Sequence, residues 1–588
     1  MLPWFLREPE RLKRERTGIE NLSRSADWLI GAEWLLDGDL CLDSVIQAHG
    51  YNYTIRVTFP SLYPEVPLVV RPRNMESRVS GHQYGGADGP LCLEWGPDNW
   101  HQDVTAVQML ESAHKLFEIE NPIGQKERPE MPVVAPSRHH LTIGQELRGE
   151  MFRWYASEGF QGFLVGQAKN AVGSFRFSLR ILGDRWLVLV HEATPIDGEK
   201  WKDPTIPEDL PDAGPLNLNT GIWFKTNLDP NEIGKPERLA DLQYLLQDQN
   251  ATQLLATDGT SPISGFQGSL TGALISDRLG KLHLFTIHSG KTVIGFSQVS
   301  SEQTCTHSRS PDSVHLGNKS VGIVGLGSAG SKLAISLARM GVRQFYLVDH
   351  DVLLPENLQR HALDWQSVAE HKADAVATAL RHIATNVHVD VSRVHLMGQE
   401  SSAANNGALD RLSGCDLLVD ATADSRVFNL LAAVAKTATK PMVWLEIFAG
   451  GIGGLVARSR PGQDRCPQDM RLAYLQYCSE HPDPSFHVVS ENYTVEMPDG
   501  KALTASDADV ALIAHHAARF VADCFTSPDQ SKFPYSMYLI GMQTAWVFEA
   551  PFATIPISTE ALPLVQPQPS DDEISAENMV FLSELLKK

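Results

Sequence analysis

The sequence predicts an α/β protein of several domains. Its 588 residues are too many for one hydrophobic core, because long chains divide into units of about 100–200 residues. A short apolar strand, Val321 to Val324, runs into a glycine-rich turn and then a helix, which is typical of a parallel sheet covered by helices. A β-rich run far upstream, Tyr51 to Phe59, predicts a separate α+β unit.

Composition shifts divide the chain further. We expect an α+β domain over residues 1–125, an α+β spacer over residues 140–300, an α/β domain over residues 305–560 and a tail over residues 561–588. The Pro- and acid-rich tail predicts a flexible segment that ends in a short helix, Ser575 to Lys588. Within the spacer we predict strands at Phe163 to Val165, Phe175 to Leu182 and Trp186 to His191, and a helix from Glu237 to Gln249.

Composition also excludes several classes of function. The chain is 43% hydrophobic and 21% charged and has no apolar run of about 18 residues, so we expect no membrane span. A net charge of −21 argues against nucleic acid as a partner and favours basic protein surfaces. Seven cysteines without a CxxC pair indicate a reducing cytoplasm and no structural zinc.

The glycine-rich turn predicts a nucleotide site. Gly325, Gly327 and Gly330 lack a Cβ, so backbone amides at the helix N-terminus can approach phosphate oxygens. The next strand, Gln344 to Val348, ends in Asp349, where an acid can bind a ribose hydroxyl.

The residues after Asp349 separate this site from a dehydrogenase. Asn357, Arg360 and Lys372 can converge on phosphates, which hydride transfer does not require. The run DHDVLLPENLQRH, followed by Lys372, resembles the ThiF and MoeB adenylyltransferases of ubiquitin activation and of thiamine and molybdopterin biosynthesis. The resemblance implies a Rossmann-like adenylation domain that binds ATP, with Asp349 on the ribose and Asn357, Arg360 and Lys372 on the triphosphate.

Two acids, Asp420 and Asp424, lie at the end of the third strand, Asp416 to Asp420, and just beyond it. Carboxylate oxygens suit Mg²⁺, which bridges phosphates while a carboxylate attacks the α-phosphorus. The resemblance places the metal-binding aspartate three residues after the aspartate that ends the strand, here Asp420, and this chain has Ala423 at that position. We therefore favour Asp424 for the metal, with Asp420 as the second candidate; helix capping is the competing role for Asp420.

Beyond this point we predict two strands joined by a glycine-rich turn in PMVWLEIFAGGIGGLVARSRPG, and a helix from Asp507 to about Cys524. Ubiquitin-activating relatives carry an acyl-accepting cysteine in the loop between them, but residues 492–506 contain none and Ala502 occupies a plausible place. Three alternatives stay open: Cys466 or Cys478 serves instead, the acyl group passes directly to the upstream Cys92, or Ala502 marks an inactivating change. The resemblance also implies a homodimer, with Arg309 as the candidate that reaches the partner's ATP.

A second signature is centred on Cys92. A Tyr63-Pro64-x-x-Pro67 turn, a strand from Leu68 to Arg71, the loop Gly89-Pro90-Leu91-Cys92-Leu93 and a helix from about Val104 follow one another. Together with His82 and Trp100, they resemble the core of ubiquitin-conjugating enzymes. The resemblance implies that Cys92 carries an acyl group as a thioester, which a thiolate can accept and release. The alternative is an inert core cysteine, which the polar flanks of the loop argue against.

One departure concerns the residues after His82. Gln83 and Tyr84 stand where the family has proline and the asparagine that stabilises the tetrahedral intermediate. The oxyanion would then be stabilised by His82, Tyr84 or backbone amides.

The order of the domains narrows the resemblance. A conjugating-like domain ahead of an activating-like domain is similar to the bacterial ubiquitin-transferase-like proteins of CBASS antiphage operons. That resemblance implies ATP- and Mg²⁺-dependent adenylation of the C-terminus of a cGAS-like nucleotidyltransferase, a thioester on Cys92 and ligation to a lysine of a target protein. Two other functions stay open: a sulfur-carrier adenylyltransferase with an accessory domain, and a scaffold that binds a nucleotide or partner without turnover.

Overall fold

The structure is a computed structural model that describes residues 3–74, 76, 79–80, 82–84, 86–124, 143–210, 218–247, 255, 271–300, 315–482, 494–496, 502–559, 578–579 and 583. Helices and sheets are mixed along the chain, which confirms the predicted α/β multidomain class. Two compact units, Met1–Gly149 and Glu150–Lys588, are described in turn. Among the described residues, no helix has both the length and the apolar composition that a membrane crossing requires.

The N-terminal unit is built on an antiparallel meander. Alternate residues of its third strand, from Tyr53 to Phe59, are fully buried, because successive side chains of a strand point to opposite faces. The predicted strand from Tyr51 is therefore confirmed, and the predicted helix near Val104 begins two residues later, where Thr105 and Gln108 form a capping box. The elements are α1 Trp4–Arg7, α2 Pro9–Ser25, β1 Leu29–Asp37, β2 Asp39–Ala48, β3 Tyr51–Phe59, β4 Val69–Pro72, α3 Ala106–Glu120 and α4 Ile143–Glu146.

The second unit begins with a sheet that closes on itself. Within the described residues its strands follow the order β5-β12-β11-β10-β9-β6-β7-β8, and β5 also pairs with β7, so seven strands form a ring that β8 extends. One face packs on α5 and the other on α6 and α7. The elements are β5 Phe152–Ala156, α5 Glu158–Gly166, β6 Val172–Leu182, β7 Arg185–Pro195, β8 Trp201–Lys202, β9 Asn219–Lys225, α6 Pro230–Ile233, α7 Leu239–Leu245, β10 Gly272–Ser276, β11 Leu282–His288 and β12 Thr292–Ser300.

Most of the predicted spacer elements are confirmed, but one is wrong. The run Phe163 to Val165 lies in helix α5, where Ser157 caps the N-terminus and Phe160 and Leu164 pack one turn apart into the core. The predicted strands near Phe175 and Trp186 are β6 and β7, and the predicted helix after Glu237 is the shorter α7. Apart from positions 578, 579 and 583, the predicted tail helix lies outside the described residues.

The same unit continues as a second, doubly wound sheet (the C-terminal sheet). Within the described residues its strand order is β15-β14-β13-β16-β17-β18-β21-β22, parallel from β15 to β17 and antiparallel beyond. The elements are β13 Ser320–Val324, α8 Ser328–Met340, β14 Gln344–Val348, α9 Lys372–Ile383, β15 His388–Ser392, α10 Ser402–Gly414, β16 Leu417–Asp420, α11 Ser425–Ala438, β17 Met442–Ile447, β18 Gly453–Ser459, α12 Pro467–Glu480, β19 Thr494–Glu496, β20 Ala502–Thr504, α13 Asp507–Thr526, β21 Met537–Gly541 and β22 Thr554–Pro556.

The strand order indicates at which edge of this sheet a ligand would bind. From β13 the chain winds outward through β14 and β15, then crosses to β16 on the other side of β13. Ligands of such sheets bind outside the carboxyl ends of the strands, at the point where the winding reverses. Val321 and Ile323 of β13 face one core and Val324 faces the other, so both faces of the sheet are covered. The residues that follow β13, β14 and β16 therefore meet at one edge.

Replacement of Gly330 by alanine is expected to lower the stability of the C-terminal sheet. A Cβ on Gly330 would lie 1.9 Å from the carbonyl oxygen of Gly325, so helix α8 and the glycine turn would have to separate. Such a clash costs about 1–3 kcal/mol. Gly327→Ala is the matched control, because a Cβ there meets no atom within 4 Å. Urea unfolding would show a lower midpoint for Gly330→Ala alone, and equal midpoints for the two variants would contradict this packing.

Candidate functional site

The turn between β13 and α8 forms one wall of the candidate nucleotide site. Gly325 has a φ of +87°, a conformation that side chains other than glycine rarely adopt. Helix α8 follows immediately, with Gly327 as its N-cap, so no side chain caps its N-terminus. The first N–H groups of α8 can therefore receive an anion, which the helix dipole also favours.

Asp349 lies directly against this turn. Its carboxylate accepts hydrogen bonds from the backbone N–H of Leu326 at 2.6 Å and from that of Asp351 at 2.8 Å. These bonds hold the carboxylate at the carboxyl end of β14, next to the glycine turn. This is the edge at which a ribose-binding acid is required in such folds.

The segment after Asp349 returns to the same turn through His361. The imidazole Nε2 of His361 lies 2.8 Å from the carbonyl oxygen of Leu326, and burial lowers the pKa of His361. The ring is therefore neutral at pH 7 and donates from Nε2. This contact places the neighbouring Arg360 beside the turn. His361 was missed by the sequence analysis, although it directly follows the predicted arginine.

Lys332 on helix α8 contacts the backbone of Arg360. The buried Nζ of Lys332 donates to the backbone oxygen of Arg360 and lies 2.7 Å from the carboxylate of Asp507, at the start of α13. A buried ammonium requires such partners. Lys332 was also missed; the available signal was a lysine within an otherwise small and apolar helical run.

Asn357 and Lys372 have defined partners as well. The Oδ1 of Asn357 accepts a hydrogen bond from the N–H of Leu354 at 2.9 Å, which leaves the amide nitrogen of Asn357 as its donor group. Lys372 begins helix α9, and its Nζ lies 2.8 Å from the carboxylate of Asp351. Burial raises the pKa of Asp351, but the hydrogen bond and charge of Lys372 outweigh it and hold that pKa below its usual value. Asp351 is thus an acid of this site that the sequence analysis did not select.

The two metal candidates have different environments. Asp420 is buried, and burial raises its pKa to about 6; it accepts hydrogen bonds from the N–H and Oγ1 of Thr422 at 3.0 and 2.7 Å. Asp424 caps helix α11 and forms an ion pair with Arg426 at 2.7 Å, and hydrogen bonding to Arg426 lowers its pKa. The capping role considered for Asp420 therefore belongs to Asp424. Thr422 borders the glycine turn, since a Cβ on Gly325 would lie 2.9 Å from its methyl carbon.

These carboxylates fit a magnesium ion that is held mainly by substrate. The ionised form of Asp420 is poorly stabilised by its protein surroundings, and a divalent cation would supply that stabilisation. Within the described residues, no group of three or more His, Cys, Asp or Glu side chains is arranged to hold a metal. Mg²⁺ is commonly bound by only one or two carboxylates together with phosphates and water.

The cysteines of this unit differ in their suitability as nucleophiles. Cys415 and Cys524 are poor candidates, because burial raises the pKa of each thiol to about 11. Cys466 is the N-cap of α12 and Cys478 lies near the end of that helix; burial raises both pKa values. Ala502 lies in β20, which pairs with β19. Arg309 lies outside the described residues.

The N-terminal unit carries the second candidate centre. Cys92 is buried, and its N–H donates to the backbone oxygen of His82 at 2.5 Å. The imidazole Nδ1 of His82 lies 2.8 Å from the carboxylate of Glu120, the last residue of α3. The hydroxyl of Tyr84 lies 3.7 Å from the sulfur of Cys92. The structure thus brings His82 and Tyr84 to the cysteine, and Glu120 is a partner that the sequence analysis missed.

Comparisons with known proteins cover the spacer and the C-terminal sheet. The ThiF family matches residues 304–488, and a family described as the domain observed between E2 and E1 domains matches residues 173–301. The Sinorhizobium fredii protein y4qC is 28% identical over 239 residues, which are 38% of this chain and 39% of that protein.

Two further relatives match shorter stretches of the chain. The ATP-dependent ubiquitin transferase-like protein Cap2 of Enterobacter hormaechei is 37% identical over 116 residues, which are 20% of this chain and 18% of that protein. The adenylyltransferase and sulfurtransferase MOCS3 of Mus musculus is 34% identical over 122 residues, 21% of this chain and 25% of that protein.

The chain thus spans well under half the length of these relatives. This chain contains a ThiF-family domain preceded by a domain of the kind observed between E2 and E1 domains, and it is related, at modest identity, to the Cap2 ubiquitin transferase-like proteins.

Proposed function

We propose that this protein activates the C-terminal carboxylate of a partner protein with ATP and transfers it through Cys92 to a lysine. One observation supports the adenylation step: the glycine turn is hydrogen-bonded to Asp349 and to His361, the residue that directly follows Arg360. Similarity to Cap2, whose name describes an ATP-dependent ubiquitin transferase-like protein, supports the transfer steps.

Adenylation joins the partner's carboxylate oxygen to the α-phosphorus of ATP and releases pyrophosphate. The amides of α8, Arg360 and Lys372 stabilise the negative charge that develops on the leaving pyrophosphate. Asp349 positions the ribose. Asp420 and Asp424 would hold Mg²⁺, which neutralises phosphate charge when it is bound.

Transfer exchanges one acyl bond for another without a second ATP. A thiolate attacks the carbonyl carbon of the acyl adenylate and AMP leaves; a lysine amine then attacks the thioester and the thiolate leaves. Cys92 is the proposed carrier. The raised thiol pKa values of Cys466 and Cys478 favour direct passage of the acyl group to Cys92 over an intermediate stop in α12.

The proposed partners follow from the resemblance to the bacterial ubiquitin-transferase-like proteins of CBASS operons. We propose a cGAS-like nucleotidyltransferase as the donor of the carboxylate, lysine-bearing proteins as acceptors, a homodimer as the active state and the cytoplasm as the location. The cysteines of the described residues are free thiols, which suits a reducing compartment. Domain limits of 1–125, 140–300 and 305–560 are part of this proposal.

A second candidate function is favoured by the MOCS3 match. A sulfur-carrier adenylyltransferase would use the same nucleotide site but would not need Cys92. Loss of conjugation in a Cys92 variant therefore distinguishes the two functions.

Arg360→Ala is expected to weaken ATP binding and ATP–pyrophosphate exchange by at least about tenfold, because one charge-assisted contact to phosphate is lost. Calorimetry with ATP and Mg²⁺ measures the binding step without a partner protein. Arg393→Ala is the matched control, since Arg393 is exposed and pairs with Asp374. Unchanged ATP affinity in Arg360→Ala would contradict the phosphate site.

Asp420→Asn is expected to raise stability while it lowers Mg²⁺-dependent adenylation. The pKa of Asp420 is raised to about 6, so its ionised form costs stability above that pH, by about 1–3 kcal/mol. The advantage of the variant should disappear as the pH falls from 8 through 6 to about 4, where wild-type Asp420 is protonated. Urea unfolding at several pH values measures this difference.

Asp424→Asn should behave in the opposite way, because the lowered pKa of Asp424 means that its ionised form stabilises the fold above its ordinary pKa. The magnesium dependence of pyrophosphate exchange in the two variants identifies the metal ligand. A wild-type level of exchange in both variants, with unaltered magnesium dependence, would exclude both acids.

Cys92→Ala should leave adenylation intact and abolish a thiol-sensitive adduct with the partner. The chain would be incubated with ATP, Mg²⁺ and a candidate cGAS-like nucleotidyltransferase, then separated on non-reducing gels with and without thiol. Cys41→Ala is the control, because Cys41 is a buried thiol of the same unit. An adduct that survives in Cys92→Ala would contradict the role of Cys92.

A further inference from the structure

The two backbone segments on either side of the Cys92 loop run antiparallel. The N–H of Cys92 donates to the oxygen of His82, Gln83 and Leu91 form a β-bridge, and the N–H of Tyr84 donates to the oxygen of Pro90 at 2.9 Å. Side chains alternate between the two sides of such a pair. Gln83 and Leu91 therefore share one side, and His82, Tyr84 and Cys92 share the other.

The side of this pair that carries Gln83 and Leu91 holds the loop in its conformation. Gln83 is buried, and its amide nitrogen, which carries two N–H donors, lies 3.0, 3.0 and 3.1 Å from the backbone oxygens of Gly86, Ala87 and Gly89. Its Oε1 accepts from the N–H of Val79 at 2.9 Å. Gln83, which stands where ubiquitin-conjugating enzymes have proline, thus holds the loop in place from its buried side.

Close packing fixes the backbone of Tyr84 as well. A Cβ on Gly89 would lie 1.5 Å from the backbone oxygen of Tyr84, so only glycine permits this approach. On the outer side, the bond between Glu120 and the imidazole of His82 ties the start of the segment to helix α3. Tyr84 is therefore presented from a segment that is held on both sides.

The side chain of Tyr84 reaches the reactive atom. Its hydroxyl lies 3.7 Å from the sulfur of Cys92 in a diagonal cross-strand arrangement, and the residue remains 56% exposed. The carbonyl oxygen of an acyl group on that sulfur is only two bonds away from the sulfur. The same hydroxyl can therefore donate to this oxygen, since a phenol carries one O–H donor.

We propose that Tyr84 stabilises the oxyanion of the Cys92 thioester during attack by an amine, in the position where related conjugating enzymes have asparagine. The amine nitrogen forms a bond to the carbonyl carbon and the carbonyl electrons move to oxygen, which accepts the hydrogen bond of Tyr84. Collapse breaks the carbon–sulfur bond, the thiolate of Cys92 leaves, and the ammonium proton passes to solvent. This role rests on the proposed carrier function of Cys92.

The test loads Cys92 chemically, so that it does not depend on adenylation. The full-length protein is acylated by exchange with a short peptide thioester of mercaptoethanesulfonate. Cys92→Ala, treated in the same way, measures acylation of the other thiols. Free lysine is then added, and discharge is followed by intact mass. Tyr84→Phe should discharge about 10–100-fold more slowly at saturating lysine, with unchanged loading and unchanged half-saturation by lysine.

Tyr51→Phe is the matched control, an exposed tyrosine of the same unit that starts β3. Thermal unfolding curves would first show that wild type and Tyr84→Phe are both folded. Equal discharge rates for the two proteins would then overturn the role of Tyr84 alone. Acyl-Cys92 that reacts no faster than the free peptide thioester would overturn the carrier function, and with it the role of Tyr84.

Discussion

The C-terminal sheet depends on the close approach of helix α8 to the end of β13. Gly330 lies so near the carbonyl oxygen of Gly325 that a methyl group would not fit. Because helix and strand approach this closely, the N-terminus of α8 points into the edge where β14 and β16 also end. Asp349 and His361 then form hydrogen bonds to the turn itself, so the candidate nucleotide site is organised around two glycines.

The two candidate centres are built on the same principle. In each, a glycine permits a backbone approach that a side chain would prevent: Gly330 next to the glycine turn, and Gly89 next to the segment that carries Tyr84. A buried polar side chain then holds the loop, Lys332 in the first centre and Gln83 in the second. Chemistry-bearing residues are thereby placed on loops whose shape is set by packing.

The sequence predicted the parts of this structure that are encoded locally. The run from Val321 to Gly330 combines an apolar strand with glycines, and its interpretation required only neighbouring residues. Phe163 to Val165 was predicted wrongly, because three apolar residues suit a strand as well as a helix and the cap at Ser157 lies outside them. The bonds of Lys332 to Arg360 and of His82 to Glu120 join distant parts of the chain. No spacing rule encodes such pairs, because tertiary packing creates them.

The closed ring of the spacer has a consequence for any shortened form of the chain. Strand β5 pairs with both β7 and β12, in parallel with each. A fragment that begins after Ala156 would lose this closing strand and expose two neighbouring strand edges. Such a fragment would be prone to self-association through those edges, so fragments of the second unit should retain residues 150–156.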